Sequence, residues 1–189
     1  MMTAVNDSQR KKIHPQKFAM WIAIGSIIMM FGGLTSGYIV REGQGNWEHF
    51  GMPPAFYAST VLILLSSLTI WLAKKSLKAQ HIRQYRRLVS ATFVLGIAFT
   101  ILQYVGFKEL LATLGRWRDN VSFQYMIVIV SVHALHIIGG VVALLVLWIK
   151  TFGKKPNTTG GTGLEIAATY WHFVDILWLY LFVFFLIYR

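Results

Sequence analysis

"TYWHFVDILWLY", Thr169 to Tyr180, decides how this chain is read. It lies in an apolar stretch that ends only at Arg189, yet it carries His172 and Asp175 three residues apart. On an α-helix that spacing puts both side chains on one face. A charged group at mid-bilayer costs roughly 3 kcal/mol or more, so such a face meets protein or water and not lipid. The stretch is therefore predicted to be a membrane helix that turns a polar stripe towards its neighbours.

Composition supports a membrane chain throughout. Hydrophobic residues make up 56% of the 189 residues and charged ones 13%, against roughly 25% in soluble domains. Mean hydropathy is +0.55. The net charge of +11 comes from basic residues lying between apolar blocks. That pattern is a topology signal with attraction for anionic headgroups, not a nucleic-acid surface, and no RNA-binding aromatic motif accompanies it. Cysteine is absent, which excludes disulfides, iron–sulfur clusters and thiolate-held metal. A cleavable signal peptide is not expected, because the first apolar block is long enough to span.

Five blocks reach the ~20 apolar residues a spanning helix needs. They are about Phe18–Val40, Pro54–Ala73, Leu88–Phe107, Phe123–Ile149 and Leu164–Tyr188. The predicted fold is all-α, an integral five-helix transmembrane bundle. A basic segment, residues 1–17, precedes a membrane domain over residues 18–189. Thirteen lysines and arginines fall on one side (four before or at Lys17, six from Lys74 to Arg87, and Lys150, Lys154 and Lys155) and five on the other. The positive-inside rule then predicts a cytoplasmic N-terminus and an external C-terminus. "KKPNTTGGTG", Lys154 to Gly163, reads as the most flexible loop, and no internal repeat is seen. Small residues mark faces where helices can approach closely: Gly33 and Gly37; Thr92, Gly96 and Thr100; Gly139 and Ala143.

The polar residues at depth are few. His133 and His136 form a second pair three apart, Glu165 opens the last span, and Gln103 lies late in the third. Three readings compete. Two histidines on facing helices can ligate a haem. However, His136 lies about 20 Å along its helix from Lys150, and His172 only about 10 Å from Glu165, so their depths differ. A proton relay uses such groups too, but the first two spans hold no acid or histidine at depth. The third reading is a structural network of His133, His136, Glu165, His172, Asp175 and Gln103, whose members satisfy one another across helices. No metal site is expected: H-x-x-H lacks further ligands, and no H-E-x-x-H, cysteine pair or carboxylate cluster occurs. No catalytic residues are expected either, since no nucleophile elbow is present. Trp117, Trp171 and Trp178 suit membrane interfaces and helix packing.

"YWHFVDILWLYLF", Tyr170 to Phe182, resembles the last-helix signature of subunit III of the haem-copper oxidases, the cytochrome c and quinol oxidases. Glu165 matches that family's acid just before it. "VHALHIIGG" (Val132 to Gly140) resembles the family's histidine-containing helix, "LGIAFTILQYVGFKEL" (Leu95 to Leu110) its "G-x-x-F-T-x-L-Q" stretch, and "MWIAIGSIIMMFGGLTSGYIVR" (Met20 to Arg41) the helix that opens its five-helix bundle. The likeness covers nearly the whole chain, in order. There are two departures. Many members have seven helices, the first two splayed from the rest by a lipid-filled cleft, and here only five spans are predicted. The family's buried glutamate follows a serine in the opening helix, whereas Ser26 is followed by Ile27.

The resemblance implies a subunit without redox centres, in the bacterial plasma (inner) membrane. It would pack beside and stabilise catalytic subunit I, with subunit II, in an aerobic respiratory complex that reduces oxygen to water. Haem and copper would belong to those partners and none to this chain. Membrane lipid, including a bound phospholipid, would be its remaining contact, and membership of a respiratory supercomplex would be compatible with it. Short five-helix relatives also accompany nitric oxide reductases. Outside the family, a small haem-binding membrane anchor is the other reading.

Overall fold

A computed structural model of the chain describes residues 15–43, 52–112, 121–153 and 162–188. Residues 1–14, the loop containing Trp117, Arg116 and Arg118, and most of the Lys154–Gly163 loop lie outside the described residues. Five helices account for the described chain: α1 (Pro15–Glu42), α2 (Pro54–Lys78), α3 (Ile82–Ala112), α4 (Val121–Phe152) and α5 (Thr162–Ile187). Each is long and apolar enough to cross a membrane. The chain is an all-α integral membrane protein.

The helices run past the apolar blocks, most clearly in α3, which begins at Ile82 and not near Leu88. The reason is chemical. Arg83, Gln84, Arg86 and Arg87 are good helix formers, and a helix end keeps its own hydrogen bonds while its side chains reach the headgroups. Prolines and a tight turn set other boundaries. Pro54 occupies the first position of α2, where its missing N–H costs nothing. Between α2 and α3, the N–H of His81 bonds the carbonyl of Ser76 at 3.0 Å, closing a Schellman-type turn. Gln80 takes the left-handed conformation there, with φ of 59°. This turn folds α3 back along α2, and these two helices pack along their lengths.

α5 is the hub. Half of its spanning window is buried inside the chain, against 17% for α1, so α5 is surrounded while α1 rests on the outside. α5 packs against α1, α2 and α4; α4 also packs against α1 and α3. The core forms around two tryptophans of α5, seven residues apart and thus on one face. Trp178 shares one buried cluster with Phe31, Phe56, Phe99, Ile137 and Leu181, and Trp171 a second with Ile70, Val89, Leu144 and Ala168. Both indoles are 0% exposed, so they belong to the packed interior and not to a membrane-interface belt.

Glycines let the rings in. A Cβ on Gly96 would lie 3.1 Å from Trp171 and 3.3 Å from Leu144, and one on Gly140 3.0 Å from Trp171. Gly37 and Gly139 sit against Tyr125 and Tyr170 at 3.4 Å, and Ala143 is half-buried. Gly33 differs from the expectation: nothing lies within 4 Å of where its Cβ would be. The G-x-x-x-G pair of α1 therefore splits, with Gly37 turned into the bundle and Gly33 to the exterior.

Candidate functional site

The polar residues of α5 are held chiefly by hydroxyls of α2. Trp178 donates its indole N–H to Thr60 at 3.0 Å, and Trp171 donates to Ser66, also at 3.0 Å. Ser67 Oγ lies 2.7 Å from Nδ1 of His172. Thr60 and Ser67 are seven residues apart in α2, as Trp171 and Trp178 are in α5, so the two helices meet along matching stripes. α3 joins this seam from its other side: Gln103 donates to Ser59 at 3.2 Å, and Thr92 bonds Thr69 at 2.9 Å. α1 is attached by Thr35 to Tyr180 at 2.8 Å, and at its basic end by an ion pair between Lys17 and Glu165.

Asp175 is placed differently. Its side chain is 4% exposed, and Nδ1 of His172, one turn away on the same helix, is 3.8 Å from Oδ2. Neither carboxylate oxygen has a hydrogen-bond partner among the described residues. The hydroxyl of Ser67, which contacts His172, also neighbours Asp175. The link across the interface is thus Ser67–His172, and Asp175 lies behind it.

The histidines of α4 face elsewhere. His133 is 0% exposed, its ring stacked on Trp178 at 5.3 Å and 19°, with neither nitrogen hydrogen-bonded. His136 lies one turn on, with Nδ1 2.7 Å from the carbonyl of Val132 and its ring against the edge of Phe31 at 5.7 Å. Of the six residues expected to form a polar network, the structure brings together His172 with Asp175 and His133 with His136. Gln103 and Glu165 sit in separate contacts with α2 and α1. Among the described residues, no three of histidine, cysteine, aspartate and glutamate gather into a metal-holding group. His136 turns to α1 and His172 to α2, so the two rings do not face one shared space.

The residues not anticipated are the α2 hydroxyls Ser59, Thr60, Ser66 and Ser67. Their signal was present as two adjacent pairs one heptad apart in a largely apolar span. Ile27, the residue after Ser26, is half-buried and packs against the cluster around Trp178.

Comparison with known proteins agrees with this architecture. A family profile described as "Cytochrome c oxidase subunit III" matches residues 46–189. Among curated relatives, "Cytochrome c oxidase subunit 3" of Osphranter robustus is 37% identical over 147 residues, covering 75% of this chain and 55% of that protein. The protein of the same name from Oryctolagus cuniculus is 33% identical over 178 residues, covering 88% and 67%. That of Bacillus sp. (strain PS3) is 26% identical over 167 residues, covering 86% and 80%. The chain spans about half the length of the first of these. A matching profile over three quarters of the sequence, with relatives matched along most of this chain, fixes the assignment: the chain belongs to the cytochrome c oxidase subunit III family.

Proposed function

We propose that this chain is the non-redox subunit III of a haem-copper terminal oxidase in a bacterial plasma membrane. It packs beside catalytic subunit I, with subunit II in the same complex, and has no active site of its own. Haem and copper belong to the partners. Its N-terminus and its basic end lie in the cytoplasm and its C-terminus outside. Respiratory supercomplexes are within reach of such a subunit.

The observation that carries this reading is how the buried polar groups are used. Ser59, Thr60, Ser66, Ser67, Gln103 and His172 engage in contacts that join one helix to another. They do not converge on a common cavity with a nucleophile, an acid and a base. Such a bundle offers a rigid apolar body to a neighbour. α1 supports this with outward side chains: Met29 is 80% exposed, and Phe18, Trp21, Ile22 and Ile28 are all more than half exposed.

Deleting the chain from its host tests the role. The account expects initial oxygen-reduction rates in the remaining complex to stay near normal and its activity to decay faster during turnover. Loss of oxygen reduction from the first turnover, with subunits I and II still present, would place this chain in the chemistry.

A further inference from the structure

The basic end of the α3–α4 pair carries an arginine that the bundle does not neutralise. Arg86, in the second turn of α3, sits over the ring of Phe152, the last residue of α4, with its guanidinium carbon 5.7 Å from the ring centroid. Its Nε is buried and has no hydrogen-bond partner. Arg83, Arg87 and Lys150 are exposed at the same end. Among the described residues, none of these four cations lies within ion-pair distance of a carboxylate.

Deeper in the bundle, the same two helices present an aromatic ladder. Phe152 packs on Trp148 at 5.2 Å, and Trp148 stacks on Phe93 at 5.7 Å and 21°. Trp148 is fixed by its hydrogen bond to Ser90 at 3.0 Å. Below it the same two faces continue as Ile97, four residues on from Phe93 and 38% exposed, and Leu145, three residues before Trp148 and 37% exposed. Cations at one level and exposed hydrocarbon immediately beneath match an amphiphile: phosphate above, acyl chains below.

We propose that this α3–α4 surface holds one phospholipid with an anionic headgroup, its phosphate on Arg86 and its chains along Trp148, Ile97 and Leu145. A guanidinium binds phosphate through paired N–H donors in a fixed plane, and Phe152 holds that plane in place. Four cations and no acid fit an anionic lipid better than a zwitterionic one, whose ammonium they would repel. Basic pockets between transmembrane helices on the inner side recognise such headgroups in general. A free phosphate ion lacks the apolar half and gains nothing from the ladder.

The test uses the full chain within the complex it is isolated with, in vesicles of phosphatidylcholine and phosphatidylglycerol, then extracted in mild detergent. Retained lipids are counted by mass spectrometry. Wild type should keep phosphatidylglycerol in preference to phosphatidylcholine. Arg86→Gln should lower that preference about fivefold, the equivalent of about 1 kcal/mol for one basic residue near the surface. Arg86→Lys should lower it less. If Arg86→Gln does not fold, the exposed pair Arg87→Gln and Lys150→Gln should give a graded fall. Equal retention of both lipids by wild type, or an unchanged preference in the charge-removing variants, would overturn the proposal. So would competition by inorganic phosphate at equal strength. A photoactivatable residue at position 87 that captured another protein chain instead of lipid would overturn it as well.

Discussion

The hydroxyl of Ser67 in α2 lies 2.7 Å from Nδ1 of His172 in α5, and this contact ties the central helix to its neighbour in the middle of the bundle. Trp171–Ser66 lies beside it, and Trp178–Thr60 lies further along the same seam. Hydrogen bonds between membrane helices average only ~0.6 kcal/mol, because the separated helices find other partners in the bilayer. Ser67→Ala is therefore expected to cost about 1 kcal/mol or less, and Ser66→Ala with Thr60→Ala and Ser67→Ala together about two to three times that. Thermal unfolding of the purified variants in detergent checks it. A loss of several kcal/mol from Ser67→Ala alone would mean that the contact does more than join two helices.

Asp175 gives the opposite expectation. With both carboxylate oxygens buried and without a well-formed hydrogen bond, replacing it by an apolar residue removes a desolvated group and gives up at most a weak contact with Ser67. Asp175→Leu and Asp175→Asn should each leave the isolated bundle within about 1 kcal/mol of wild type. The same unfolding measurement applies. A drop of about 3–5 kcal/mol, the size seen when one member of a buried ion pair is removed, would show that Asp175 is tightly paired.

Two glycines separate packing from propensity. Alanine is the better helix former by roughly 1 kcal/mol. At Gly33 nothing lies within 4 Å of the new Cβ, so Gly33→Ala should stabilise the isolated chain slightly. At Gly106 the Cβ would fall 2.6 Å from Cε1 of Phe56. That ring is fully buried, with its centroid 5.3 Å from that of Trp178, and has little room to move. Gly106→Ala should therefore lose about 1–3 kcal/mol by overpacking. Equal effects at the two sites would contradict this account of the α2–α3 approach.

How much of this was legible beforehand depended on the kind of signal. Hydropathy shows five spans because each must supply its own run of apolar residues to cross the bilayer. The motif around His172 and Asp175 points to the right helix as the one with a polar face. It could not show which partner each group meets, because that depends on the rotation of α2, a helix whose only clue is its scattered hydroxyls. Gly33 and Gly37 look alike at a spacing of four, yet one turns inward and the other outward. Spacing places residues on a face and says nothing of whether a neighbour covers it. The helix ends at Arg83 to Arg87 were missed for a related reason: hydropathy stops at the headgroups and the helix does not.

Ile27 makes a further prediction about proton uptake. The side chain packs against the core and offers no proton-binding group. Carbodiimide, which modifies carboxylic acids in apolar surroundings, should therefore leave pumping by the complex unaffected through this chain. Adducts are mapped by mass spectrometry beside the pumping assay. Inhibition that rises in step with an adduct at Glu165 or Asp175 would show that another acid has taken over the role.

Isolation of the intact complex tests the central claim most directly. The chain would be tagged in its host, extracted in mild detergent, and its co-purifying chains identified and quantified. The account predicts one haem- and copper-bearing oxygen-reducing catalytic chain per copy of this protein, with all haem absorbance following that partner when the two are separated. Recovery with a nitric oxide reductase, or a haem band that stays with this chain alone, would contradict it.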